Sequence, residues 1–228
     1  MTVPLLVLED ISKSFGGLSA ITDLSLTIER GAVVAVVGAG STGKSTLIDL
    51  ISGACRPDSG RIQFEGRDIA GLRPDHICSI GIARTFDPPR PFPSFSVLDT
   101  VAVAALLRAP DPPEARRRAF DLLELLEMKA LAGQPAASLD ATLAKRLELA
   151  RAMATRPRLL LLDQVLTELP VSELAWLQDV LRTVNHRPGV TLLLAEPLLG
   201  TVRGLADRVV VLDHGHIITE VRADDLPD

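Results

Sequence analysis

Aromatic residues make up only 3% of this 228-residue sequence, with no tyrosine and a single tryptophan. Combined with a net charge of −5 and an isoelectric point near 5.4, that scarcity argues against a basic, base-stacking surface, so nucleic acid is not expected among the partners. Cysteine is also sparse. Cys55 and Cys78 show no metal-ligand spacing and fit reduced thiols in a cytosolic protein. No run reaches the ~20 apolar residues that a bilayer span requires. The best candidate, 97–107, is short and interrupted by Asp99. Met1-Thr2-Val3-Pro4 has no basic lead and no apolar stretch behind it, which argues against a secretory leader. There is no internal repeat and no low-complexity linker.

A hydrophobic content of 47% is enough to build the core of one large α/β domain or two small ones. The most informative segment is 38–45, where Gly38, Ala39, Gly40, Ser41, Thr42, Gly43, Lys44 and Ser45 fill every position of the phosphate-loop pattern G-x-x-x-x-G-K-[ST]. A buried-strand run, 32–37, precedes it, and a helical run opening at Thr46 follows. Glycines let the backbone wrap an anion, and the N–H groups of the loop and of the helix start point at phosphate oxygens. Lys44 then reaches the terminal phosphates, and the Ser45 hydroxyl is placed to hold Mg²⁺. A glycine-rich turn with a merely solvated lysine is the bland alternative, and both flanking elements speak against it. The segment predicts a nucleoside triphosphate site.

Apolar patterning predicts an antiparallel pair, Leu5 to Ile11 and Ile21 to Ile28, around Gly16-Gly17, and a short strand from Arg61 to Phe64. From Val97 to about Leu131 the pattern is helical, with 109–113 read as a proline-rich loop inside it. A helix from Leu143 to Thr155 precedes Leu159 to Asp163, an apolar run ending in a carboxylate that suits the centre of a sheet. Helix Ser172 to Asn185, strand Val190 to Ala195, and strands Arg208 to Leu212 and His216 to Val221 complete one α/β alternation.

With the phosphate loop, the helical insert and Leu159 to Asp163 in this order, the chain resembles an ATP-binding-cassette (ABC) ATPase over almost its whole length. Phe15-Gly16-Gly17, Arg56-Pro57-Asp58-Ser59-Gly60, Gly81-Ile82-Ala83-Arg84-Thr85-Phe86 and Arg146 to Ala152 are similar to the branched-chain amino-acid importer branch. The resemblance implies a single nucleotide-binding domain over 1–228. Its fold would be α/β, of the P-loop NTPase type: a mixed central sheet, an N-terminal antiparallel β subdomain and a helical subdomain at about 88–155. It implies ATP and Mg²⁺ as cofactors, with Phe15 stacking on adenine and Asp163 holding Mg²⁺ through water. The alternatives are an ordinary core or turn aromatic at 15 and a strand-end cap at 163. Implied partners are membrane permease subunits and a second ABC ATPase subunit in a homo- or heterodimer. The implied location is cytoplasmic and peripheral, on the inner face of the membrane through the permease.

Several functional positions depart from that family. The residue after Asp163, where the family has its catalytic glutamate, is Gln164, which can position water but cannot take its proton. A general base is worth ~10² to 10⁴ in rate. The switch-histidine position is Pro197, which offers no donor; it reads as a helix-start proline, and Glu196 beside it would repel phosphate. Asp87 stands for the Q-loop glutamine, still able to ligate Mg²⁺ but followed by prolines. The signature loop reads Leu139, Asp140, Ala141, Thr142, Leu143, and no glycine lies between Gly133 and Gly189. Asp140 suits a helix N-cap and also aims a charge at a phosphate, a repulsion of about 3 kcal/mol at ~5 Å and an effective dielectric near 20. The dimer-contact loop, 165–170, differs as well. Two readings result: a transport ATPase subunit that binds Mg-ATP and hydrolyses it slowly, or a nucleotide-binding pseudo-ATPase with a structural or regulatory role in a heterodimer. An unrelated P-loop kinase or GTPase would need an acceptor site or an N-K-x-D tetrapeptide, and the latter does not occur.

Overall fold

In the computed structural model, residues 4–186, 189–222 and 225 are described; Met1–Val3, on which the leader expectation rests, lie outside them. Strands β1 (Leu6–Phe15) and β2 (Leu18–Ile28) pair antiparallel around Gly16-Gly17, both at positive φ as a tight hairpin requires. With β4 (Ser59–Phe64) and β5 (Arg67–Asp68) they form a four-stranded sheet in the order β2-β1-β4-β5.

The second sheet has six strands, β10-β9-β3-β8-β7-β6: β3 (Val33–Val37), β6 (Ile82–Arg84), β7 (Leu159–Asp163), β8 (Thr191–Glu196), β9 (Arg208–Asp213) and β10 (His216–Arg222). All its pairings are parallel except β10 on β9. The unbroken apolar runs of β3 and β7 follow from burial on both faces. Val33, Ala35, Val37, Leu160 and Leu162 enter one core, and Val34, Val36, Leu159 and Leu161 the other. Helix α1 (Lys44–Ile51) lies in the second core with Leu47, Ile48, Leu50 and Ile51.

Between β6 and β7 the chain runs through α3 (Val97–Ala105), α4 (Pro112–Leu125) and α5 (Ala141–Ala154), α3 packing on both others. Helix α6 (Val171–His186) connects β7 to β8. The mixed α/β architecture with an antiparallel N-terminal sheet is the one expected. Two details differ. Pro112 and Pro113 belong not to a loop but to the first turn of α4, where a missing N–H costs nothing and Asp111 caps the helix by accepting from the Glu114 N–H at 2.8 Å. Pro197 starts no helix: it directly follows β8, and only a 3-10 turn at Leu199–Thr201 comes after it. The six-residue helix α2 (Pro74–Ser79) and the three-residue β6 have no counterpart in the expected elements. Among the described residues no helix is long and apolar enough to cross a membrane.

Candidate nucleotide-binding site

The phosphate loop joins β3 to α1 at the carboxyl end of the sheet. Gly43 takes φ 103° at the start of α1, and a Cβ on it would lie 2.3 Å from the Ala20 carbonyl oxygen. The β1–β2 hairpin is therefore pressed against the loop, and only glycine permits that approach. Phe15 ends β1 at the tip of this hairpin, 50% exposed, with the Lys13 ammonium 5.3 Å from its ring centroid. It is not a core aromatic: half of it is exposed, and the Lys13 ammonium stands over its ring.

Lys44 is 4% exposed, so the solvated-lysine alternative fails. Its Nζ donates to the Gly38 oxygen at 2.5 Å, the Gly40 oxygen at 3.0 Å and Thr42 Oγ1 at 3.2 Å. Without an anion the ammonium is held by its own loop; phosphate oxygens would replace these neutral acceptors with charged ones. Burial lowers its pKa, while Asp163 and Glu196 push the other way.

Asp163 ends β7, 4% exposed, and accepts from Ser45 Oγ at 3.2 Å. Its bond to the phosphate-loop helix, rather than to the following loop, sets aside the strand-end-cap alternative. Arg84 Nη2 lies 3.7 Å from the second Asp163 oxygen, and its Nη1 is 2.5 Å from Asp49. Burial raises the Asp163 pKa, Ser45 and Arg84 oppose this, and nearby Asp87 and Asp49 reinforce it. A hydroxyl beside a desolvated carboxylate is the hard-oxygen set that suits Mg²⁺. Ser45 and Asp163 would hold the ion, Asp87 standing near enough to act electrostatically. Among the described residues no group of three or more His, Cys, Asp or Glu side chains is arranged for a metal.

Gln164 and Pro197 each directly follow a strand of the six-stranded sheet, β7 and β8. Gln164 is half-buried at φ 49°, its N–H donating to the Ala195 oxygen at 2.9 Å. Pro197 follows β8 with no hydrogen to donate. Asp140 lies apart at the N-terminus of α5, where Oδ1 accepts from the Leu143 N–H at 2.8 Å. Asp140→Ala should cost about 1 kcal/mol in a urea titration, whereas Asp140→Ser should be nearly neutral because it keeps the cap and removes only the charge.

Three residues organise the surroundings, two of which, Lys145 and Glu148, are not singled out by sequence reasoning. Lys145 on α5 donates from Nζ to the Gln164 oxygen at 3.0 Å and the Thr167 oxygen at 2.6 Å. Glu148, 3% exposed, accepts from the Arg90 N–H at 3.0 Å and from Arg151 Nη2 at 2.5 Å. Glu196, fully buried, does not face outward as an anion: it accepts from the Leu166 N–H at 2.8 Å and Thr167 Oγ1 at 2.7 Å. Burial pushes its carboxyl up to about 7 from 4.5, against those two hydrogen bonds and the Lys145 charge. The folded protein therefore keeps a proton that the unfolded chain releases. That stabilisation is complete below pH 4.5 and lost as pH rises through about 7. Urea midpoints should fall between about pH 5 and 7.5, and Glu196→Gln should flatten the slope, leaving the same-signed parts from Asp163 and Glu148, whose carboxyls burial also raises.

Residues 21–167, more than half of the chain, match the family described as ABC transporter. The chain belongs to the ABC transporter family. It is 35% identical over 213 residues to the methionine import ATP-binding protein MetN of Rhizobium etli, aligning 92% of this chain with 59% of that protein. It is 30% identical over 241 residues to the probable branched-chain amino acid transport ATP-binding protein LivG of Methanocaldococcus jannaschii, covering 98% of this chain and 92% of that one. Its fold superposes on MJ1267, an ATP-binding cassette of an ABC transporter, with a TM-score of 0.88 at 29% identity, over 97% of this chain and 92% of the other. The architecture is thus that of an ABC ATPase cassette, and nucleotide binding follows from the family. Methionine and branched-chain relatives both match, so the branched-chain branch is not singled out. The chain spans 59% of the length of the Rhizobium etli MetN protein it matches.

Proposed function

We propose that this chain is the ATP-binding subunit of an ABC importer for amino acids, methionine or a branched-chain amino acid, and that it binds Mg-ATP but hydrolyses it slowly. The observation carrying the binding half is the arrangement of buried Lys44 with Ser45 and Asp163, 3.2 Å apart, beneath a glycine loop. Backbone N–H groups of 38–46 cradle the phosphates, Lys44 binds the terminal ones and Phe15 stacks on adenine. When bound, Mg²⁺ would offset the charge of the phosphates, and Ser45 and Asp163 would hold it.

The hydrolysis half rests on chemistry. Gln164 accepts no proton from an attacking water, and Pro197 donates nothing to a developing charge. In a head-to-tail pair, Asp140 would face the partner's phosphate with its own charge.

The permease is proposed to dock on a groove of about 640 Å³ between the sheet and a helical subdomain at about 88–155. Phe86, Phe92, Val103 and Leu107 line this groove, with Arg90 and Arg151 beside them. The last three apolar side chains are more than 40% exposed, as an unmatched docking face would be. Such docking places the chain at the inner face of the membrane as a peripheral subunit. The second reading, a pseudo-ATPase steadying a heterodimer, is favoured by Asp140, whose carboxylate already satisfies the α5 N-terminus.

Parallel measurement of ATP binding and phosphate release, with and without a catalytically complete ABC partner, tests both readings. Binding with slow release alone and faster release in the mixed pair fits the asymmetric transporter. Binding with no contribution to turnover in any pair fits the pseudo-ATPase.

A further inference from the structure

The loop 86–90 carries the aromatic wall of the groove, and its hydrogen bonds run to one element. Among the described residues, the Arg90 N–H donates to Glu148 at 3.0 Å, and the Arg90 oxygen accepts from Arg151 Nη1 at 2.8 Å. Arg151 also stands over the rings of Phe86 and Phe92, at 5.7 and 5.6 Å from their centroids. Glu148 and Arg151 both lie on α5.

One turn earlier on the same helix, Lys145 holds the carbonyls of Gln164 and Thr167, in the loop that follows Asp163. Glu196 holds the same loop through the Leu166 N–H and the Thr167 hydroxyl. Positions 145, 148 and 151 follow one another in steps of three, so neighbouring turns of a single rigid rod carry them. From Lys145 to Arg151 the rod spans about 9 Å. The near end of α5 is anchored independently, Arg146 forking onto Glu173 of α6 with two contacts of 2.6 Å and stacking 3.7 Å from the Trp176 ring.

We propose that α5 is the mechanical link between the nucleotide site and the groove in this chain, with Lys145 and Glu148 as its positioning residues. The proposal rests on the reading above that 38–45 binds nucleotide and the groove receives a partner. A displacement of the 164–167 loop, transmitted through Lys145, moves α5 as a body, and Glu148 carries loop 86–90 with it.

A shorter route exists along β6, where Arg84 approaches Asp163 and the Asp163 N–H donates to Thr85 Oγ1 at 3.1 Å. It ends at Asp87-Pro88-Pro89. The prolines remove two N–H donors, and among the described residues Asp87 has no hydrogen-bond partner that would pass a shift onward. The α5 route has a hydrogen bond at each step.

The test is amide hydrogen exchange on the whole chain, comparing peptides covering 88–95 and 164–168 with and without Mg²⁺ and AMP-PNP. Binding is followed separately with mant-ATP. In the unsubstituted chain, nucleotide should slow exchange in both peptides. Lys145→Met should bind mant-ATP and keep the response at 164–168 while losing that at 88–95. Glu148→Gln should do the same, and Lys145→Arg should restore both. A response at 88–95 that survives in Lys145→Met and Glu148→Gln, or that is absent from the unsubstituted chain despite mant-ATP binding, overturns the proposal. Absence of mant-ATP binding by the unsubstituted chain overturns the nucleotide-site reading itself, and this inference with it.

Discussion

Lys44→Ala is expected to weaken Mg-ATP binding by about two to three orders of magnitude. Two charge-assisted hydrogen bonds to phosphate, at about 1.5 to 3 kcal/mol each, bring the loss to roughly 3 to 4 kcal/mol once partial compensation by water is allowed. The substitution acts on the free protein as well. Lys44 Nζ is the donor to the Gly38 and Gly40 oxygens, and its removal leaves both carbonyls short of a partner. A stability loss of about 1 to 3 kcal/mol should therefore accompany the loss of affinity. Urea titration and mant-ATP titration on the same preparation separate the two effects, because a folded variant that no longer binds isolates the ligand term.

Restoring the family residues together, with Asp140→Ser, Gln164→Glu and Pro197→His, should raise ATP turnover by ~10² to 10⁴, the range of a positioned general base. The gain is expected to be strongly non-additive. Gln164→Glu alone supplies a proton acceptor but leaves the opposite face of the phosphate with no donor at 197. The Asp140 carboxylate would still oppose closure of the pair, and replacing it with serine keeps the α5 cap. The backbone at 164 should tolerate the exchange, since it is held through its N–H by Ala195 and through its carbonyl by Lys145, neither of which involves the side chain. Phosphate release at protein concentrations that allow pairing measures the effect. A triple variant as slow as the parent would locate the block elsewhere, with the 165–170 loop next in line.

The parts of this molecule legible in its sequence are those whose signal is local. The phosphate loop is contiguous, and its glycines, lysine and serine each have one job within eight positions. Strands β3, β7 and β8 announce themselves as unbroken apolar runs because alternate side chains enter two different cores. What stayed hidden depends on pairs remote in sequence. Lys145 meets Gln164 across 19 positions, Leu166 meets Glu196 across 30 and Arg90 meets Glu148 across 58. Each is an ordinary charged residue in an ordinary pattern until the fold brings its partner. Glu196 shows the cost of reasoning without that partner: at the end of a strand beside a phosphate site it reads as a repulsive anion, yet its two acceptor oxygens are turned to the 164–168 loop. Strand β6 escaped notice for a different reason, since three residues are too few to display a period. Pro112 and Pro113 read as loop in the sequence because proline breaks helix interiors, whereas at the first turn it is accommodated.

Equilibrium binding of Mg-ATP and phosphate release, measured in parallel on the purified chain, test the central claim most directly. Saturable binding that is lost in Lys44→Ala, together with turnover slower by ~10² or more than that of the Gln164→Glu, Pro197→His, Asp140→Ser variant, is the predicted result. Rapid turnover by the unsubstituted chain, abolished by Lys44→Ala and unimproved in the triple variant, would contradict it.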